Sequence, residues 1–270
     1  MTVHPTALVE KGASLGDGVE IGPFCIVGRH AILHEGVHLL SHVVIRGHTE
    51  IGAQTVVHAH AVLGGEAQMH KVNPPDMKLR IGAHNIIREA VTMSTGSAAG
   101  HGITQVGDHG YFMAGCHVAH DCIVGDKVTL SNGVQLAGHV QVGDGVIMGG
   151  LSAIQQFGRI GRYAFVSGVT GVVADVIPYG SVIGTHARLH GLNLVGLRRR
   201  NTPRANIHAL RAAYKLIFLS GGAIHDNARR AGEQWPDIAE VQEVVSFILA
   251  DAKRPICPAR KRGSEPDESE

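Results

Sequence analysis

The strongest constraint in this 270-residue chain is an exact period of six. Stepping from Val3 by six residues gives Val9, Leu15, Ile21, Val27, Leu33, Leu39, Ile45, Ile51, Val57 and Leu63, all aliphatic. The pattern resumes at Ile81, Ile87 and Met93, shifts register, and runs again from Val106 to Val172. Helices repeat every 3.6 residues and strands every two, so neither alone produces a six. A prism does: three hexads form one coil, the aliphatic residue of each points inward, and a small residue behind it lets the chain turn. Gly16, Gly22, Gly28, Gly52 and Gly64 occupy that following position. Coils stacked about 4.8 Å apart by parallel pairing give a solenoid of roughly 40 Å, in which each coil is buried only by its neighbours. The expected fold is a left-handed parallel β-helix over residues 1–188. The left hand is a family property of proteins built on such hexapeptide repeats, and the general preference for right-handed crossovers would give the opposite one.

Composition agrees. The 36 glycines against only 4% aromatic residues suit a narrow interior of Val, Ile and Leu. With 44% hydrophobic residues and a net charge of +1, both disorder and a general affinity for nucleic acid are disfavoured. No apolar run reaches the roughly 18 residues that crossing a bilayer takes, and no signal peptide is visible, so no membrane insertion and a cytoplasmic location are expected. Cys25, Cys116, Cys122 and Cys257 match no zinc motif and read as reduced thiols.

Two stretches interrupt the period. Residues 65–80 bring prolines and charge between Leu63 and Ile81, and residues 94–105 are glycine-rich; both are expected as loops off the prism, and long loops in a compact repeat tend to be functional. From about residue 189 to 256 the pattern becomes helical. Thr202 with Pro203 is expected to open one helix carrying Ile207, Leu210, Tyr214 and Ile217. Trp235-Pro236 is expected to open another carrying Ile238, Val241, Val245, Ile248 and Leu249. Residues 257–270 read as a disordered tail.

The densest polar cluster in the repeat is the run His117-Val118-Ala119-His120-Asp121-Cys122, followed one coil later by Gly138-His139. Imidazoles beside a carboxylate suit two chemistries: general base catalysis, with Asp121 orienting His120, or ligation of a metal by three histidines.

The runs HVAHDCIVG (117–125), LAGHV (136–140), AIQQF (153–157), NLVGLRRR (193–200) and AYKLI (213–217) closely resemble the UDP-N-acetylglucosamine O-acyltransferases of lipid A synthesis. The resemblance covers nearly the whole chain apart from the tail. It implies a homotrimer with active sites between subunits, transferring an (R)-3-hydroxyacyl group from acyl carrier protein to the sugar 3-hydroxyl without a cofactor or metal. It assigns His120 as general base, Asp121 as its holder and the amide of Gly138 as oxyanion donor. Gln68, Met69, Lys71, His117, His139 and Gln156 fall at substrate-binding positions, Asn193, Arg199 and Arg200 at nucleotide-contacting ones, and Gly168 where acyl length is set. Three residues depart from the pattern. Met69 replaces a common aspartate, Val195 a glutamate and Gln155 a histidine. The missing carboxylate raises the 3-amino analogue of the sugar as an acceptor. Arg198, Arg199, Arg200, Arg204 and Arg211 are expected to receive the acidic carrier protein. A trimeric zinc enzyme of the γ-carbonic-anhydrase type is the rival on the same fold.

Overall fold

A computed structural model describes residues 1–70 and 74–260. Strands mostly two residues long stack into three faces of eleven, nine and eight strands, parallel throughout except for the last strand of the first face. Along the first face Val3, Ile21, Leu39, Val57, Ile87, Phe112, Leu130, Met148, Val166 and Val182 lie in register, one above another. From Ile21 onward the period-six residues are buried; Val3, Val9 and Leu15, at the open end, are not.

The corners divide the labour differently from the expectation of small turning residues. Left-handed backbone (φ near +60°) falls on glycines such as Gly18, Gly36, Gly133 and Gly145 but also on larger residues, among them Phe24, His42, His60, His84, His109, Asp121, His139, Phe157, Tyr163 and Tyr179. Asp and His tolerate this region better than branched residues do. The glycines one place behind the inward residues answer a second demand, close stacking. A Cβ on Gly22 would lie 2.6 Å from the carbonyl carbon of Leu40, and one on Gly52 2.6 Å from the Ala83 nitrogen. Histidines at successive corners stack on one another, as His84 on His109 at 4.9 Å and 4°.

Both interruptions leave the same edge, between the second and third faces. Ile51 pairs with Ile81, thirty residues on, where an uninterrupted coil takes eighteen. The first excursion therefore adds twelve residues, between the strands Val62–Gly65 and Lys78–Ile81. The second runs between Thr92–Ser94 and Ile103–Val106, adding seven and so causing the register shift seen in the sequence.

Parallel stacking ends in a hairpin. Gly180–Ile183 pairs in parallel with the coil below and antiparallel with Arg188–Leu192, so the expected boundary at 188 falls inside a hairpin. Four helices follow: α1 (Leu194–Arg199), α2 (Arg204–Leu219), α3 (Ile224–Gln234) and α4 (Ala239–Leu249). Pro203, not Thr202, occupies the position before α2, which has no side-chain cap. α4 begins after Ile238 rather than at Trp235-Pro236, and α3, buried through Ala228 and Ala231, had no matching expectation. The expected tail from 257 is corrected in part. Residues 257–260 return along the prism, with Cys257 fully buried, its amide on the Asp175 carbonyl, and Ala259 bridging Leu189. Residues 261–270 lie outside the described residues.

The helices dock through buried charge. The Arg159 guanidinium donates to Asp175 at 2.6 Å and lies 4.4 Å over the Phe247 ring of α4. The Tyr179 hydroxyl donates to Glu243, also on α4, at 2.5 Å.

Candidate active site

The turn between strands His117–Val118 and Ile123–Val124 stands on the edge from which both excursions leave, one coil above the second. His120 and Asp121 form that turn and are only 6% and 1% exposed. The His120 Nδ1 lies 2.8 Å from the Asp121 Oδ2. An ionised carboxylate there only accepts, so Nδ1 carries the proton and Nε2 is left with its lone pair. Burial raises the Asp121 carboxyl, but the Ser97 hydroxyl, His120 and the amides of Ser97 and His101 outweigh it and hold the group below the usual aspartate range.

Eighteen-residue stacking places Gly138 and then Gln156 in register with His120, and His139 and then Phe157 in register with Asp121. A Cβ on Gly138 would fall 2.6 Å from the His120 Nε2 and 3.0 Å from the Gln156 amide nitrogen, so only glycine fits between them. The Gly138 amide meets no acceptor among the described residues. His139 stands edge-on to His120 at 5.1 Å and stacks on Phe157 at 4.6 Å. Lys253 caps the Phe157 ring at 4.0 Å. A cavity of about 520 Å³ opens here, lined by Gly100, His101, His139, Phe157, Arg159 and Lys253 among others. Burial lowers His139, so its imidazole is favoured neutral. His117, three residues before His120, shares a hydrogen bond of 2.8 Å with the Thr92 hydroxyl and is likewise lowered, chiefly by burial.

The structure thus gathers His117, His120, Asp121, Gly138, His139 and Gln156 on one edge. Gln68 and the 38%-exposed Met69 lie on the first excursion from that edge. Lys71 lies outside the described residues. The remaining candidates stand elsewhere on the prism. Gly168 sits on the edge between the first and second faces, beside Val169 (65% exposed) and in the corner above Leu151 (69%). Asn193, Arg199 and Arg200 stand by the edge between the third and first faces. There Asn193 caps α1 through the Gly196 amide and donates to the Tyr163 carbonyl, and the Arg200 guanidinium lies 3.2 Å over the Tyr163 ring. Sequence reasoning missed Ser97, Phe157 and Lys253 at the site. The glycine-rich character of residues 94–105 signalled the first of them, and the run AIQQF (153–157) ends on the second.

His120, Asp121 and His139 offer ligand atoms within 4.8 Å of one another. The carboxylate, however, is already occupied. Its Oδ1 accepts from the amides of Ser97, His101 and Gly102, and its Oδ2 from the Ser97 hydroxyl and His120. A metal would have to displace these, so Asp121 is built to orient an imidazole rather than to ligate, and the zinc reading is not favoured.

A hexapeptide prism with a histidine–aspartate pair buried at one edge and a helical C-terminal domain suits a β-helical enzyme that works by general base catalysis. A family profile described as UDP-N-acetylglucosamine O-acyltransferase, domain 2, matches residues 175–257. The acyl-[acyl-carrier-protein]–UDP-N-acetylglucosamine O-acyltransferase of Caulobacter vibrioides is 53% identical, over 95% of this chain and 98% of its own. That of Rhizobium johnstonii is 48% identical over 93% of both chains. The solved UDP-N-acetylglucosamine acyltransferase of Campylobacter jejuni superposes with a TM-score of 0.91 at 34% identity, covering 96% of this chain and all of that one. The chain belongs to the UDP-N-acetylglucosamine O-acyltransferase family, and its prism is the left-handed parallel β-helix expected from the period.

Proposed function

We propose that this enzyme transfers an (R)-3-hydroxyacyl chain from acyl carrier protein to the 3-position of UDP-N-acetylglucosamine, the first step of lipid A synthesis, with His120 as base. One observation carries the assignment: the Nε2 of His120 is left free by the Nδ1–Asp121 bond and faces Gly138 across a gap that admits no side chain. In this mechanism Nε2 takes the proton of the sugar hydroxyl as its oxygen attacks the thioester carbonyl. The tetrahedral oxyanion accepts from the Gly138 amide. Collapse expels the carrier thiolate, which takes the proton back from the imidazolium that Asp121 stabilises. A thioester is reactive enough for base and oxyanion donor to suffice, so no cofactor or covalent intermediate is needed.

The homotrimer is part of the proposal. Candidate residues for base, acyl-length and nucleotide contacts stand on three different edges of one prism, so a single site combining them draws on more than one copy. The groove of about 610 Å³ between α1 and α2, lined by Leu194, Arg198, Arg204, Ile207, His208 and Arg211 among others, suits an acidic carrier protein. Among the described residues no helix is long and apolar enough to cross a membrane, and both substrates are soluble, which supports cytoplasmic action.

The test is acyl transfer by His120→Ala. A folded variant slowed by about 10²–10⁴-fold is expected, the range for a general base. Near-full activity would overturn the reading. A second acceptor, the 3-amino sugar, is favoured by Met69 standing where an aspartate is the common residue. Assays with both nucleotide sugars decide this point, and a strong preference for the 3-hydroxyl form eliminates it.

A further inference from the structure

The second excursion does more than project from the prism: it folds back as a cradle for one carboxylate. The Ser97 amide and hydroxyl reach Asp121 at 3.1 and 2.5 Å, the His101 amide at 2.8 Å and the Gly102 amide at 3.2 Å. From the other side the Thr104 hydroxyl accepts the Asp121 amide at 2.8 Å, supporting its left-handed backbone. Gly100 packs so closely that a Cβ there would lie 2.5 Å from the Asp121 Oδ1. Ser97 is itself fully buried, and every one of these donors comes from residues 97–102.

We infer that Ser97 is a positioning residue of the acyl transfer, its hydroxyl and the His120 Nδ1 sharing one oxygen of Asp121 so that the loop sets how strongly that oxygen holds the base. The inference rests on His120 being the base. Removing the hydroxyl concentrates charge on the oxygen facing His120 and loosens its direction. The imidazolium is then held more firmly, while the geometry for proton removal is poorer. The charged or titratable groups facing the pair are His139, whose Nε2 is 3.9 Å from the Asp121 Oδ2, His117 on the preceding strand, His101 on the loop, Cys122 next in sequence, and Lys253 beyond Phe157.

Steady-state acyl transfer over a range of pH tests this in the full-length protein. Ser97→Ala should lose about tenfold in kcat, the scale of one hydrogen bond to a charged group, with little change in either KM. Its acid limb should move to higher pH, and Ser97→Thr should restore both rate and profile. Gly100→Ala, which keeps the hydroxyl but displaces the carboxylate, should lose at least as much. In an Asp121→Asn background Ser97→Ala should cost nothing further, because the residue acts only through that carboxylate. Additive losses in that background, an unmoved profile, or wild-type activity in Ser97→Ala would each overturn the inference. The base assignment fails separately, on His120→Ala alone.

Discussion

Replacing Gly138 by alanine isolates the space around the base from every other property of the site. The backbone there is not in the left-handed region, so alanine brings no conformational penalty, and it keeps the amide. What it adds is a methyl 2.6 Å from the His120 Nε2 and 3.0 Å from the Gln156 amide nitrogen. Non-bonded atoms of this size sit about 3.5 Å apart, so the imidazole must withdraw by roughly 1 Å. It has little room to do so: the ring is 6% exposed, tied to Asp121 at 2.8 Å and braced edge-on by His139 at 5.1 Å. Overpacking of this kind costs about 1–3 kcal/mol of stability, and a misplacement of about 1 Å at a reacting group costs about 10²-fold in rate. The assay is acyl transfer from acyl carrier protein to UDP-N-acetylglucosamine, with size-exclusion chromatography and thermal unfolding on the same sample. A folded variant retaining activity within about threefold of wild type would refute the reasoning. Gly232→Ala in α3 is the companion control: its methyl would meet Val245 at an ordinary 3.4 Å, and activity should be unchanged.

That control carries a stability prediction as well. Alanine in a helix interior stabilises by about 0.5–1 kcal/mol over glycine, so Gly232→Ala should raise Tm by about 1–4 °C in differential scanning fluorimetry. Arg159→Ala strands the buried Asp175 carboxylate and should cost about 3 kcal/mol, or about 6–12 °C in Tm, with Arg159→Met plus Asp175→Asn recovering much of the loss; an unchanged Tm in the single variant would contradict the docking role. His117 and His139 are lowered on folding, so the folded state binds fewer protons than the unfolded one as pH drops through the ordinary histidine value. Stability should therefore be complete well above about pH 6.5, the ordinary histidine value, and decline as pH falls through it towards the lowered folded values. Thermal unfolding across that range should show the decline, flattened in His117→Asn; a flat wild-type profile argues against burial as the cause.

Much of the prism was legible in the chain because its physics is local and repeated. Ile21, Leu39 and Val57 had to be inward once the six-residue period was seen, since no other arrangement buries every sixth residue. The pairing of His120 with Asp121 was legible for the same reason: adjacent residues at a corner whose place in the coil the period defines. Nineteen histidines obscured the site, and the structure separates their uses. His42, His60, His84 and His109 are corner residues that adopt left-handed backbone, the first two packing ring to ring on the edge between the first and second faces and the last two stacking on that between the third and first, whereas His120 alone is tied by Nδ1 to a caged carboxylate.

The sequence by itself determined the coil, its inward residues, the points where chain leaves it, and the change to helix. It did not determine where the departing chain goes, because the hydrogen bonds that end a loop join residues with no periodic relation. Ser97 meets Asp121 across 24 positions, Arg159 meets Phe247 across 88, and residues 257–260 return to Asp175 and Leu189 instead of trailing into solvent. Only the tertiary structure decided these contacts, since each depends on a buried charge or amide finding its partner in space, and no spacing along the chain records that.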